Sequence, residues 1–374
     1  MAGSTAGRRW RWAWGALLAM SAAAGCDGGG DDSGPAPTDL ATSSAVSAPT
    51  GAPDLDAGEE VARGVDVPWG LAFLPGGDAL VAERDTGRVL RIALGGGDPA
   101  QVYEVPGVTA GGEGGLLGLA VSPGFAEDNL VYAYFTAERD NRIVRFRLDG
   151  GQPEVIFDGI AKARNHNGGR IAFGPDGMLY VGTGDAGDTD RSQDPASPNG
   201  KILRLTPDGA PAPGNPTAGS PVYSLGHRNV QGLAWDTQGR LFATEFGQND
   251  LDEVNRIEPG RNYGWPEVEG RGDTAGGRYT NPLVTWPVRD ASPSGLAIAN
   301  GTAYVAALRG ERLWSVPLDG DTAGEPSARL EGRHGRLRTV QVAPDGALWV
   351  TTSNTDGRGD VRDGDDRILR FPAR

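Results

Sequence analysis

From about residue 69 onward, one pattern of apolar and polar positions recurs six times along the chain. "WGLAFLPGGDALVAERDTGRVLRI" (69–92) returns as "LGLAVSPGFAEDNLVYAYFTAERDNRIVRFRL" (117–148), and then as "GRIAFGPDGMLYVGTGD" closing with "GKILRL" (169–205). The fourth copy is "QGLAWDTQGRLFATEFG" closing with "DEVNRI" (231–257), the fifth "SGLAIANGTAYVAALRGERLWSV" (294–316), and the sixth "RTVQVAPDGALWVTTSN" closing with "DRILRF" (338–371). Each predicts a short apolar strand, a tight turn, a second apolar strand, a variable polar loop and a third strand with alternating side chains. Turns such as Pro175-Asp176-Gly177 and Pro344-Asp345-Gly346 make hairpins. Proline fixes φ, aspartate bonds its own backbone, and glycine accepts a positive φ.

The aligned Leu71, Leu119, Ile171, Leu233, Leu296 and Val340 lie roughly 44 to 63 residues apart, the period of propeller blades rather than solenoid coils. Fourth strands are fainter, with "QVYEV" (101–105) and "EVIFDG" (154–159) the clearest. After the sixth copy only Pro372, Ala373 and Arg374 remain, while "EEVARGV" (59–65) precedes the first copy without a blade of its own. The pattern therefore predicts an all-β chain, one six-bladed β-propeller over residues 59–374 whose N-terminal strand closes the last blade. A two-sheet sandwich uses similar hairpins but explains neither the six equal units nor the orphan strand.

Composition agrees: 60 glycines and 27 prolines in 374 residues punctuate the chain too often for a helical protein. The first 25 residues stand apart, with Arg8, Arg9 and Arg11 ahead of an apolar run that ends in Ala-Ala-Gly-Cys at Cys26. That is the pattern of an export signal. It resembles a bacterial lipoprotein signal in which Cys26, the only cysteine, is acylated. The alternatives are an ordinary signal peptide with an incidental thiol, or twin-arginine export. Residues 26–58 carry scarcely an aliphatic run and predict a disordered tether. The expected protein is thus exported, extracytoplasmic and held to a membrane only through that lipid. Loss of residues 1–25 removes three arginines and no acid, taking the formal net charge from −14 to −17. Such a body is a poor partner for nucleic acid or anionic lipid surfaces.

In a propeller the strands are scaffold, and chemistry sits on the loops that converge on one mouth of the channel. His166, in "ARNHNGGR", precedes the inner strand of the third repeat; it is either a general base or a loop-bracing histidine. "YSLGHRNVQGLAW" (223–235) brings His227, Arg228, Asn229 and Gln231 to the equivalent place one repeat on. An arginine there suits a carboxylate or a developing oxyanion. The acidic stretch "EFGQNDLDEVNRIEPGRNYGWPEVEG" (245–270) reads as a long insertion whose Asp250, Asp252 and Glu253 offer hard oxygens suited to calcium, though the spacing matches no EF-hand. Arg336 and Arg338 lead into the sixth inner strand and Arg309 lies in the fifth unit, so the mouth gathers positive charge fit for a small polycarboxylate.

Together these stretches resemble the glucose/sorbosone dehydrogenase family, soluble quinoproteins that use pyrroloquinoline quinone (PQQ). The matching segments are "GEGGLLGLAVSPGF" (112–125), "HNGGRIAFGPDG", "GHRNVQGLAW", "EFGQNDLDEVN", "NYGWP" (262–266) and "RLRTV" (336–340), in family order. The resemblance implies PQQ at the mouth with calcium bridging it to the protein, an aldose substrate oxidised at C1, and electrons passed to an external acceptor. It implies His166 as the base, Arg228 as the residue polarising the quinone carbonyl, and Asn229 as a second cofactor contact. Gly247 and Gln248 align with the pair whose backbone carbonyls ligate calcium, and Arg336, Arg338 and Arg309 with basic residues around the cofactor's carboxylates. Three positions depart from well-known members: Glu113 replaces a glutamine among the cofactor contacts, Gln248 a proline, and Asn165 an aspartate beside the base. The last change predicts that the imidazolium loses a nearby carboxylate. Two other readings stand beside this one, a calcium-dependent lactonase-type hydrolase and a non-catalytic binding propeller.

Overall fold

A computed structural model describes residues 51–374. The signal segment, Cys26 and most of the expected tether lie outside the described residues.

The strands form six antiparallel sheets, each built from consecutive strands, with one exception. In the first blade the order runs Pro68–Phe73, Ala79–Glu83, Arg88–Ile92 and Ala100–Glu104 from the channel outward. The exception is the sixth blade, where Leu337–Val342, Leu348–Thr352 and Arg367–Phe371 are completed by Glu59–Arg63 from the other end of the chain. The closing strand pairs Glu59 with Arg370 and Arg63 with Arg367 across a bulge near Ala62. The faint fourth strands are present at Ala100–Glu104 and Glu154–Ile160. In the fifth blade the outer edge is shared by Thr322–Ala323 and Ser327–Arg329, both paired with Arg312–Asp319.

The second strands are continuously buried because blades cover both of their faces, so side-chain alternation sorts residues between neighbours rather than between core and solvent. In Ala79–Glu83, Leu80 and Ala82 pack with Leu119 and Val131 of the second blade. Ala79 and Val81 pack with Trp349 and Ile368 of the sixth. Six apolar clusters result, one at each blade interface, and they seal the ring. The recurring Gly-Leu-Ala of the inner strands has a steric cause at the channel. A Cβ on Gly295 would stand 2.6 Å from Val340 N and 2.7 Å from Thr339 Cα, so no side chain fits there.

One boundary moves. Residues 52–57, expected in the tether, belong to the folded body: Pro53 bridges Ala373, Asp54 N–H donates to Pro372 O at 2.7 Å, and Leu55 packs on the interface between blades five and six. The three residues left after the last strand supply the partner that composition could not reveal.

Candidate active site

In an antiparallel blade, the segment leading into the inner strand and the turn joining the second and third strands lie at the same end. That rule gathers residues 163–170, 226–229 and 335–338 with the turns after Glu83, Gly182, Glu245, Ala307 and Thr352 at one mouth.

His166 adopts φ +56°, a left-handed conformation that is uncommon for a non-glycine residue. The loop around it is over-determined. His166 N–H donates to Glu113 Oε2 at 3.0 Å, and its carbonyl accepts from Ala186 N–H. Buried Asn167 ties the loop to Ala163 O and Asn141. The His166 ring presents Nδ1 to Asp185 Oδ1 at 2.7 Å. Asp185 is fully buried and also accepts from Gly187 N–H at 2.7 Å and Trp265 Nε1 at 2.9 Å. Burial would raise the Asp185 carboxyl, but the bond from His166, its charge and the other donors outweigh burial and hold it below the ordinary range. An ionised carboxylate only accepts, so in the neutral imidazole it is Nδ1 that carries the proton and Nε2 that keeps its lone pair.

This corrects one expectation. Asn165 is exposed, and the carboxylate it fails to supply comes instead from Asp185, on the loop after the second strand of the same blade.

His227 is structural. Fully buried, it bonds Glu245 Oε2 and Ser224 Oγ at 2.8 Å each and stacks on Tyr263. Glu245 also accepts from Arg228 N–H. The Arg228 guanidinium lies 5.4 Å from the Trp265 ring centre and donates to Gly247 O at 2.7 Å and Phe246 O at 3.1 Å. Its Nε is buried without a partner. Asn229 accepts from Gly168 N–H through Oδ1, while its Nδ2 is buried and unpartnered. Two buried donors on adjacent residues without a partner among the described residues are a standing cost.

The opposite wall is cationic. Arg336 and Arg338 share a single carboxylate, Asp356 Oδ2, at 2.9 Å and 3.2 Å. Arg84 pairs with Asp85, and Arg358 reaches from the sixth blade to Glu113 on the second, 2.9 Å away. With two guanidiniums on one acid, this wall keeps surplus positive charge. The cavity between these side chains measures about 20 Å³, and Arg358 and Glu113 both line it. Arg358 is 60% exposed, so that pair parts at little cost.

Beside Arg228, the turn 246–250 folds around Glu269. The N–H groups of Gln248, Asn249, Asp250 and Leu251 all donate to Glu269 Oε1, at 2.6 to 3.2 Å. A planar peptide sets C=O opposite to N–H, so the carbonyls of Gly247 and Gln248 face away from Glu269, and that of Gly247 already meets Arg228.

The acidic stretch is not one long loop. Asp252 and Glu253 sit in the strand Leu251–Ile257, where neighbours point to opposite faces. Asp252 accepts from Gly247 and Ser292 N–H, and Glu253 from Gly270 N–H and Asn255 Nδ2. Both brace backbone, so the expectation that they ligate a metal is corrected. Among the described residues no three His, Cys, Asp or Glu side chains gather as a cation shell. Arg309 is exposed on its turn and makes none of the hydrogen bonds or ion pairs that fix the other arginines. Sequence reading missed Asp185, Trp265, Arg84, Asp356 and Arg358. The signal for Trp265 lay in "NYGWP", and for the other four in "GTGDAGD", "VAERD" and "SNTDGRGD", each at the end of a second strand at the same mouth.

The model of the glucose/sorbosone dehydrogenase family matches residues 65–369, nearly the whole propeller. The chain belongs to that family. Within it, the chain is 29% identical to an aldose sugar dehydrogenase of Escherichia coli over 78% of this chain and 89% of that one. It is 31% identical to quinoprotein glucose dehydrogenase B of Acinetobacter calcoaceticus, over 63% of this chain and 58% of the other. The PQQ-bound aldose sugar dehydrogenase of Streptomyces coelicolor superposes with a TM-score of 0.82 at 56% identity, covering 86% of this chain and 100% of its own.

Proposed function

We infer that this glucose/sorbosone dehydrogenase family member is a PQQ-dependent aldose dehydrogenase that oxidises the C1 hydroxyl of an aldose to the lactone. The observation that carries the reading is the pairing, at one mouth, of a carboxylate-held imidazole with two orphaned donors and an arginine wall. The wall suits a planar polycarboxylate, with Arg336 and Arg338 exchanging part of their hold on Asp356 for the ligand's carboxylates. Arg228 and Asn229 would hold its carbonyl oxygen, and Glu113 would border it once Arg358 swings away. The carbonyls of Gly247 and Gln248 would offer oxygens to calcium between cofactor and protein. When bound, PQQ supplies an electron sink that takes the hydride leaving C1.

His166 Nε2 accepts the C1 hydroxyl proton as the hydride departs, so the sugar loses two electrons and two hydrogens and C1 becomes a carbonyl. Asp185 stabilises the imidazolium and keeps its ring in place. Arg228 and Asn229 would stabilise negative charge on an oxygen held beside them. An external acceptor would take up the two electrons. The Arg-rich N-terminal segment and Cys26 support an exported lipoprotein, tethered outside the membrane by the acylated cysteine.

Product analysis tests the reading. Protein supplied with PQQ, calcium and a redox dye, with [1-¹³C]glucose and other aldoses, should convert the C1 resonance to lactone and aldonate in step with dye reduction. Unchanged sugar across the panel with PQQ demonstrably bound overturns it.

A further inference from the structure

The channel has a second mouth, and one side chain divides it from the first. Arg170 leads into the inner strand of the third blade and reaches across the channel, donating through Nε to Gln231 O at 2.7 Å and through Nη2 to Thr339 Oγ1 at 3.0 Å. Gln231 is in the fourth blade and Thr339 in the sixth, opposite the third. The guanidinium lies over Trp69 of the first blade, 4.3 Å from the ring centre. Trp69 and Gln231 line the cofactor-side cavity, whereas Arg170 lines the cavity beyond.

That far cavity measures about 470 Å³, within the range of small-molecule sites. Each blade contributes an apolar side chain at the same level of its inner strand, Phe73, Val121, Phe173, Trp235, Ile298 and Val342, each half-buried and packed against a blade interface, so the lining alternates these groups with polar strand backbone. At its base sits Arg170, 8% exposed, which among the described residues forms no ion pair with an acid and finds no acceptor for its Nη1. Burial and neighbouring Arg338 push its guanidinium down to about 9, which still leaves a cation at neutral pH. A buried cation with a free donor at the base of a cavity rimmed by six apolar groups suits an apolar body ending in an anion.

We propose that the second mouth binds a small aliphatic carboxylate, its chain against the six apolar side chains and its carboxylate on Arg170. The site is separate from the proposed cofactor mouth and stands whether or not the dehydrogenase reading does.

Calorimetric titration of the full chain, purified without detergent, with decanoate, decanol and decylammonium tests it. Decanoate should bind at least tenfold more tightly than either analogue, with an affinity unchanged by saturating PQQ. Arg170→Gln should erase the preference for decanoate over decanol. Because that variant removes a brace across the channel, Val121→Glu provides a second test at a half-exposed position, where the added negative charge should weaken decanoate binding at least tenfold. Equal affinity for all three probes, no decanoate binding at millimolar concentration, displacement of decanoate by PQQ, or wild-type decanoate affinity in Val121→Glu overturns the proposal.

Discussion

Replacing Asp185 by asparagine separates two things the carboxylate does, orienting His166 and neutralising it. Oδ1 accepts from both His166 Nδ1 and Gly187 N–H, whereas Oδ2 accepts only from Trp265 Nε1. The amide must place its NH₂ on one side, and the side facing Trp265 forfeits one bond rather than two. His166 therefore keeps an acceptor on Nδ1 and its base on Nε2, but the imidazolium formed in turnover loses its counter-charge. Exchanging a charge-assisted bond for a neutral one, together with the lost attraction at short range in a partly screened site, raises the barrier by about 2 to 4 kcal/mol. At about 1.4 kcal/mol per decade, kcat falls roughly thirty- to a thousandfold. The buried Trp265 Nε1 left without an acceptor lowers stability by about 1 to 3 kcal/mol. Dye-reduction kinetics, PQQ titration and thermal melts read these effects separately. A kcat within threefold of the parent, or a loss confined to PQQ affinity, would refute the assignment of Asp185 as the support of the base.

His166→Ala removes the base alone, so turnover should fall by about two to four orders of magnitude while PQQ affinity, measured calorimetrically, stays within threefold; comparable activity in variant and parent contradicts the assignment. Gly295→Ala drives a Cβ to 2.6 Å from Val340 N, against backbone of the next blade that cannot yield, and should destabilise the ring by about 1 to 3 kcal/mol; an unchanged melting temperature would show that the inner strands have slack. Burial, with Glu245 close by, pushes the Glu253 carboxyl well above its ordinary value of 4.5, so above that value the native state holds a proton the unfolded chain has released. Stability should then fall as pH rises through that window, and Glu253→Gln should melt near the parent at pH 4 but above it at pH 9; parallel curves at every pH contradict this. Asn255 Oδ1, buried without a donor, is placed to accept the retained proton once its amide turns.

The fold was legible because each blade repeats its interfaces, so Gly-Leu-Ala returns in four of the six inner strands and the doubly covered second strand in all six. The orphan strand Glu59–Arg63 was legible for the same reason, since the last blade lacked it. Residues 52–57 were not, because their order depends on Pro372–Arg374 at the far end of the chain and not on any apolar pattern of their own. At the site, the loops leading into inner strands announced His166, Arg228 and Asn229. Asp185 was hidden because its partnership with His166 joins two loops of one blade, a relation that spacing along the chain does not encode. Asp252 and Glu253 misled in the opposite way: they are adjacent in sequence, but strand geometry turns them to opposite faces, where each meets backbone. Arg170 lay inside a recognised segment, "HNGGRIAFGPDG", yet only the closed ring shows it crossing to Thr339.

The most direct test of the central claim is a titration of the apoprotein with PQQ, with and without calcium, followed at each point by aldose-dependent dye reduction. Stoichiometric binding that calcium strengthens, with activity rising in parallel to one PQQ per chain, is the expected result. Activity without PQQ, or PQQ bound at this stoichiometry with no aldose turned over, would contradict it.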